Sequence, residues 1–197
     1  MLQTRLRAPV TRIITPVCRA ALRVGITANG VSIFGAFGVI VSALYFFPNG
    51  ELFLGTLVVT IFVLSDLFDG TLARLANQSG TKWGALLDST LDRAADAAIC
   101  LGIWWFLNNA EDPSQMLALA ALFFSALIPY IRAKADSLGI ECSVGMAERP
   151  ERLIILLTGT GLTGLGVTGA LSISLWLLLV LSLITVAQRM LIVYRGK

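Results

Sequence analysis

Long apolar runs separated by short polar turns fill most of this chain. Six of the runs are long enough to cross a bilayer as helices, which takes roughly 17–25 residues each. The turns between them contain Pro, Gly or Asn, as in Pro48-Asn49-Gly50, and such residues interrupt helices. The pattern predicts an all-α integral membrane bundle of six transmembrane helices in one domain, residues 1–197. The six predicted helices cover about residues 28–48, 52–76, 84–107, 114–138, 150–169 and 170–194.

The composition agrees with a membrane protein and narrows the possible chemistry. The 197 residues are 56% hydrophobic and 14% charged, whereas soluble domains carry about 25% charged residues. The chain contains no His, which excludes a His-based catalytic triad and a His-ligated metal. The cysteines lack metal-ligand spacing, so carboxylates must supply the chemistry. We expect membrane lipid, and no nucleic acid, among the partners.

Basic residues mark one side of the predicted bundle. They precede the first apolar run, flank the second and fourth turns and end the chain, whereas the other three turns contain Glu51, Glu111 and Asp112 instead. Because positive residues favour the cytoplasmic side, we expect a multi-pass cell-membrane protein with both termini in the cytoplasm. The basic residues that flank these two turns or end the chain are Arg74, Lys82, Arg132, Lys134, Arg149, Arg152, Arg195 and Lys197.

The segment before the first apolar run, residues 1–24, is basic and amphipathic. Its arginines include Arg5, Arg12, Arg19 and Arg23, which share one helical stripe. Such a helix can lie on an anionic inner leaflet at the membrane surface. A solvated basic tail is the alternative interpretation. The segment lacks the apolar core of a signal peptide.

Four carboxylates fall inside apolar sequence on the second and third predicted helices. They are Asp66, Asp69, Asp88 and Asp92. The members of each pair are three or four residues apart, which puts them on one helix face. Small residues stand on the same faces, namely Gly70, Ala73 and Gly84. Two helices can therefore direct two carboxylates each at a common space that admits a divalent metal and a bulky anionic ligand.

Carboxylate oxygens are hard ligands that suit Mg²⁺, Mn²⁺ or Ca²⁺. Two such ions can hold the attacking and leaving oxygens of an in-line phosphoryl displacement, and Arg74 adds a cation for a phosphate. Salt bridges inside the membrane are a second interpretation, but five acids, with Asp96, face only Arg74 and Arg93. A metal-ion transporter is a third, and it predicts acids at several membrane depths, whereas these lie at one cytoplasmic level.

The acidic pattern carries a family resemblance. The spacing D-x2-D-G-x2-A-R-x9-G-x3-D-x3-D, from Asp66 to Asp92, resembles the signature of the CDP-alcohol phosphatidyltransferases, and every fixed position is present. The resemblance implies six transmembrane helices, usually in a homodimer, with the motif on the second and third. It also implies transfer of a phosphatidyl group from CDP-diacylglycerol to an alcohol, with release of CMP.

The same resemblance assigns roles to individual positions. The metal ligands would be Asp66, Asp69, Asp88 and Asp92, holding two Mg²⁺ or Mn²⁺ ions, and Asp92 would also be the general base. The residues that bind CDP-diacylglycerol would be Asn29, Asp66, Asp69, Gly70, Ala73, Arg74, Thr81 and Gly84. The segment from Ile26 to Ser32 resembles the family's L-T-P-N-x-x-T entry to the first helix, with Ala28 in place of Pro and Ser32 in place of Thr.

Basic residues in the second half point to an anionic acceptor. Arginines lie near the cytoplasmic ends of the last three predicted helices, and Arg189 lies inside an apolar run. An Arg fork suits a phosphate group, and an uncharged acceptor gives no reason to collect so many cations. The positive-inside bias accounts well for Lys134 and Arg195.

A closer resemblance covers the same region. The segments Tyr130 to Ala135, Glu148 to Ile155 and Gln188-Arg189 resemble the actinobacterial phosphatidylinositol-phosphate synthases, which use inositol 1-phosphate as acceptor. The resemblance implies that Arg132, Arg152 and Arg189 bind the acceptor phosphate. It also implies that Asp92 removes a proton from the acceptor hydroxyl, which attacks the phosphatidyl phosphorus.

Two questions stay open on the sequence alone. Phosphatidylglycerophosphate synthesis from glycerol 3-phosphate is the alternative within the family, because that acceptor is also a phosphorylated alcohol. Asp96 continues the Asp88 and Asp92 stripe by one turn. It could orient Asp92 or pair with a basic residue of a neighbouring helix.

Overall fold

The computed structural model describes residues 14–76 and 81–196, and the side chain of Asp66 lies outside this description. Arg5 and Arg12 of the predicted N-terminal helix also lie outside the described residues. Within these ranges all regular secondary structure is helical, which confirms the all-α prediction. The helices are α1 (residues 14–23), α2 (Ala28–Phe46), α3 (Leu52–Val63), α4 (Ser65–Leu75), α5 (Lys82–Asn109), α6 (Gln115–Ser137), α7 (Arg149–Gly164) and α8 (Ala170–Arg195).

The apolar helices identify a membrane protein. Of the described segments, four are both long and apolar enough to span a bilayer: Ala28–Phe46, Leu52–Leu75, Gln115–Ser137 and Ala170–Arg195. The second of these breaks at Leu64 into α3 and α4. α5 has 28 residues but carries Asp88, Asp92, Arg93 and Asp96. α7 has 16 residues, fewer than the ~20 that a membrane-spanning helix usually needs.

Contacts divide the chain into two compact units. The first unit comprises Met1–Ile40 and Val59–Ala95. In it, Cys18 of α1 is buried against Leu72 of α4, and Phe68 packs on the same cluster. The Cys18 thiol lies 3.7 Å from the Phe68 carbonyl, to which it donates, and burial raises the pKa of this thiol. The N-terminal helix α1 therefore packs on its own chain, with Arg19 and Arg23 exposed.

Glycines bring α2 close to the next helices of the first unit. A methyl group added at Gly35 would collide with the Ser65 hydroxyl, and one added at Gly38 would collide with the Phe62 ring. Helices in membranes gain most of their contact energy from such close approaches, because the lipid is as apolar as the side chains.

The second unit comprises Val41–Val58 and Asp96–Lys197. In it, α8 packs against both α6 and α7. Backbone-to-backbone approaches again occur at glycines: a methyl group at Gly102 would collide with the Ala43 carbonyl, and one at Gly164 would collide with the Phe53 amide. These contacts fix α5 and α7 against the chain segment 41–58.

The loop between α6 and α7 is fastened to α8. The Thr185 hydroxyl, fully buried, accepts hydrogen bonds from the amides of Met146 at 3.1 Å and Ala147 at 3.0 Å. Gly145 has a φ of 148° and no room for a Cβ atom next to the Thr185 methyl group. A glycine here lets the loop lie directly on α8, which places the residues at the start of α7.

We predict that Gly102→Val destabilises the second unit. The added methyl groups meet a backbone carbonyl that cannot rotate away, so α5 must move from the segment around Ala43. Overpacking of this kind costs about 1–3 kcal/mol. The midpoint of thermal unfolding in detergent should fall relative to Ala126→Val, a control on the exposed face of α6. Equal unfolding midpoints for the two variants would contradict the close contact between Gly102 and the Ala43 carbonyl.

Candidate active site

The acidic motif lies in the first unit, on α4 and the first half of α5. Asp69 is 8% exposed, and its Oδ2 accepts a 2.6 Å hydrogen bond from the Ser32 hydroxyl of α2. Asp88 is exposed and Asp92 is partly buried. Arg93 lies beside Asp92, with 3.6 Å between its Nη2 and the Asp92 Oδ2. The motif therefore presents carboxylates that range from buried to open to solvent.

Ser32 contacts the acidic motif, although the motif spacing alone does not identify it. It stands where the family entry segment has Thr, and its hydroxyl fixes the side chain of Asp69. A short hydrogen bond to a buried carboxylate orients that group before any ligand arrives. The sequence did contain an indication of this contact. The family's entry segment has Thr where this chain has Ser32, and both residues carry a hydroxyl at the same place.

Three of the predicted donor-binding residues come together at the start of α5. The Thr81 hydroxyl accepts a 3.2 Å hydrogen bond from the Gly84 amide, which caps the first turn of the helix. A Cβ atom at Gly84 would lie 2.7 Å from the Thr81 hydroxyl and 3.5 Å from the Asn29 amide oxygen. The absence of a side chain at Gly84 thus leaves room for Thr81 and Asn29 beside it.

The predicted residues on α4 leave space beside the helix. A Cβ atom at Gly70 would meet no atom within 4 Å, so the backbone there is open to a ligand. Arg74 is exposed, and its Nη2 donates to the Thr71 hydroxyl one turn earlier, at 3.1 Å. The hydroxyl of Thr71 therefore holds the guanidinium group in a defined direction next to Ala73.

The side chains of the motif that could ligate a metal suit a hard divalent cation. Among the described side chains, no group of three or more Asp, Glu, Cys or His residues converges closely enough to hold a metal. That description includes Asp69, Asp88 and Asp92 but not the side chain of Asp66. Carboxylate oxygens without His or Cys suit Mg²⁺, Mn²⁺ or Ca²⁺. The ligand chemistry is thus compatible with the metal site that the motif implies.

The second unit contains a buried ion cluster at the start of α7. Asp96 of α5 is 4% exposed and accepts from Arg149 Nε at 3.1 Å and from Arg152 Nη2 at 3.4 Å. Arg152 also donates from Nη1 to the Ala147 carbonyl at 3.0 Å. The sequence left two roles open for Asp96, orienting Asp92 or pairing with a basic residue of another helix. The structure contains the second of these.

Arg189 and Arg132 share a different acidic partner. Arg189 is 2% exposed and donates from Nε to the Val144 carbonyl at 2.8 Å and from Nη1 to the Ile128 carbonyl. Its Nη2 lies 3.7 Å from Glu148 Oε1, and Arg132 Nη1 lies 3.9 Å from the same oxygen. The three arginines predicted to bind the acceptor therefore divide between two carboxylates: Arg152 pairs with Asp96, and Arg132 and Arg189 pair with Glu148.

No role was predicted for Glu148 from the sequence, although its neighbours in the sequence give an indication of one. It stands directly before Arg149 and four residues before Arg152. An acid next to basic residues is a candidate counter-ion. Its partners Arg132 and Arg189 come from two other helices, and this could not be read from local spacing.

Comparison with known proteins gives the family. The model of the CDP-alcohol phosphatidyltransferase family matches residues 25–188. A phosphatidylinositol phosphate synthase of Mycobacterium tuberculosis is 44% identical over 189 residues, which cover 93% of this chain and 87% of that protein.

Two solved structures are similar over nearly the whole chain. A crystal structure of the Mycobacterium tuberculosis phosphatidylinositol phosphate synthase with CDP-DAG bound has a TM-score of 0.87 and 43% identity, over 93% of this chain and 94% of that one. The structure of that synthase in complex with manganese and citrate has a TM-score of 0.84 and 42% identity, over 91% and 88% of the two chains. Since the family model matches well over half of the chain, this protein belongs to the CDP-alcohol phosphatidyltransferase family.

Proposed function

We propose that this protein transfers the phosphatidyl group of CDP-diacylglycerol to inositol 1-phosphate, giving phosphatidylinositol phosphate and CMP. The observation that carries the proposal is the group of arginines around the start of α7, in a chain that also has the complete acidic motif. Arg132, Arg152 and Arg189 are gathered with Asp96 and Glu148. An uncharged acceptor alcohol would give no reason to maintain these cations in a membrane protein.

The donor CDP-diacylglycerol is proposed to bind in the first unit. Asn29, Thr81 and Gly84 lie together there, and Gly70 leaves the backbone of α4 open. The similar Mycobacterium tuberculosis synthase has CDP-DAG bound. We assign the donor site to the residues that the family motif supplies: Asn29, Asp66, Asp69, Gly70, Ala73, Arg74, Thr81 and Gly84.

The carboxylates are proposed to hold divalent metal. The ligands would be Asp66, Asp69, Asp88 and Asp92, with two Mg²⁺ or Mn²⁺ ions, and the similar synthase was solved with manganese. When bound, such ions neutralise the charge of a pyrophosphate and polarise its phosphorus. Ser32 contributes by fixing the carboxylate of Asp69 through its 2.6 Å hydrogen bond.

Asp92 is proposed to be the general base. It accepts the proton of the attacking hydroxyl of inositol 1-phosphate, whose oxygen then forms the new bond to the phosphatidyl phosphorus. The bond from that phosphorus to the oxygen of CMP breaks, and the electron pair leaves with CMP. The partly buried position of Asp92 allows contact with both solvent and a bound hydroxyl.

The arginines of the second unit are proposed to bind the acceptor phosphate. An Arg guanidinium group matches two phosphate oxygens at once. Arg189 and Arg152 are held by the backbone carbonyls of the α6–α7 loop, so their direction is set before the acceptor arrives. Arg132 is half exposed and can adjust to the ligand.

We also propose the arrangement in the membrane. Six transmembrane helices form a single domain, with the amphipathic segment 1–24 on the inner surface of the cell membrane and both termini and the active site in the cytoplasm. This proposal rests on the basic residues at alternate turns and on the exposed Arg19 and Arg23 of α1. A homodimer is proposed from the family resemblance.

A radiolabelled acceptor assay tests the proposed reaction. Purified protein with CDP-diacylglycerol and Mg²⁺ should convert inositol 1-phosphate to a labelled lipid and release CMP, leave free inositol unused, and lose this activity in EDTA. Preference for glycerol 3-phosphate would instead assign phosphatidylglycerophosphate synthesis. Cation flux in proteoliposomes without CMP release would indicate a transporter, although Arg74 beside the acids would repel a moving cation.

Asp92→Asn should bind CDP-diacylglycerol normally and lose at least about 100-fold in turnover, because an amide cannot accept the hydroxyl proton. Binding is measured with labelled donor and turnover by CMP release. Asp112→Asn, the same chemical change in the α5–α6 turn, is the matched control and should retain activity. Turnover of Asp92→Asn close to that of the unaltered protein would refute the base assignment.

Arg132→Ala should raise the Michaelis constant for inositol 1-phosphate about tenfold, the usual order for a lost charge-assisted contact. The constant for CDP-diacylglycerol should stay within about twofold, since this substrate is assigned to other residues. Lys134→Ala removes an exposed cation two residues away and should change neither constant. A parallel loss for both substrates would make Arg132 a structural residue.

A further inference from the structure

One carboxylate oxygen stands between two arginines that the proposed function assigns to the acceptor phosphate. Glu148 Oε1 lies 3.7 Å from Arg189 Nη2 and 3.9 Å from Arg132 Nη1. The three residues come from the start of α7, the body of α8 and the end of α6. An anion that bridges these guanidinium groups would have to occupy the position that this oxygen holds.

The environment of each partner indicates which groups can move. Arg189 is fixed, because two of its nitrogens donate to the carbonyls of Val144 and Ile128. The side chain of Arg132 is 48% exposed and that of Glu148 is 34% exposed, so both have room to change rotamer. Glu148 is the N-cap residue of α7, yet its side chain makes no capping hydrogen bond. Its carboxylate can therefore leave without uncapping the helix.

We propose that Glu148 is the internal counter-ion of the acceptor site and is displaced by the phosphate of the acceptor. The inference rests on the proposed function, because it takes Arg132 and Arg189 as phosphate ligands. A carboxylate brings one negative charge, whereas a phosphate monoester at neutral pH brings between one and two. The incoming phosphate thus compensates both arginines better than Glu148 does.

This exchange gives the site a means of rejecting uncharged alcohols. A polyol without a phosphate offers no charge to replace the carboxylate, so displacing Glu148 would leave Arg132 and Arg189 without their shared carboxylate. Breaking a charge pair by removing one partner is costly when the other is buried, as Arg189 is. Discrimination between two ligands is a difference between their binding free energies, and Glu148 increases that difference.

The test is Glu148→Gln, which keeps the shape of the side chain and removes the competing charge. Binding of inositol 1-phosphate and of inorganic phosphate to the purified protein is measured by calorimetry, and the Michaelis constants are measured in parallel. We expect both anions to bind about fivefold more tightly than to the unaltered protein, the order of one partly exposed ion pair. The Michaelis constant for CDP-diacylglycerol should stay unchanged.

Glu141→Gln is the matched control, because Glu141 is exposed in the same α6–α7 loop and contacts only Ser143 among the contacts described for it. It should leave both anion affinities unchanged. A second variant, Glu148→Asp, keeps the charge but shortens the side chain, so it should tighten anion binding in the same direction and by less. If Glu148→Gln does not fold, Glu148→Asp still tests the inference.

The outcomes separate the two proposals. Unchanged or weaker anion binding in both Glu148 variants overturns the counter-ion role, even when inositol 1-phosphate is converted. Tighter binding of inorganic phosphate in the variants, without turnover of inositol 1-phosphate by any form, supports the counter-ion role and overturns the proposed acceptor.

Discussion

A charge carried into an apolar helix bundle must be compensated, and this constraint governs both units of the protein. Moving an ion out of water costs several kcal/mol even after the protein relaxes, so each buried charge needs a partner or a ligand. Asp96, nearly inaccessible to solvent, lies between Arg149 and Arg152. Arg189 is equally buried and is compensated by two carbonyls and by Glu148. The fold around the start of α7 depends on these contacts.

Two local clusters, one in each unit, carry surpluses of opposite sign. Over the acidic motif of the first unit, residues 66–93, four carboxylates accompany Arg74, Lys82 and Arg93, so negative charge is in excess there. In the ion cluster at the start of α7, in the second unit, Asp96 and Glu148 pair with four arginines, so positive charge is in excess there. An acidic surplus attracts metal ions, and a basic surplus attracts anions. The proposed chemistry needs one of each, a metal-assisted donor site and a phosphate-binding acceptor site.

Local pattern was enough to predict much of this. The apolar runs predicted helices close to those observed for α2, α6 and α8, because a bilayer-length run has few alternatives to a helix. The break at Leu64 between α3 and α4 was not predicted, since the run there stays apolar. The fixed spacing of the motif predicted Asp69 on one helix and Gly84 and Asp92 on the next, as they are found on α4 and α5. Asp96, Ser32 and Glu148 depend on partners from other helices, which spacing along one helix does not reveal.

The burial of Arg189 and Arg152 determines how the proposed acceptor site would bind a phosphate. An exposed arginine loses much of its conformational freedom when it binds a phosphate, and this entropy loss opposes binding. In Arg189, Nε and Nη1 are already bound to carbonyls, and Nη2 is directed at the position of Glu148. This side chain is therefore already ordered in the folded protein, in which Thr185 fastens the α6–α7 loop to α8. The proposed acceptor site would therefore need little reorganisation of Arg189 and Arg152 to bind a phosphate, and the groups left to move would be Arg132 and Glu148.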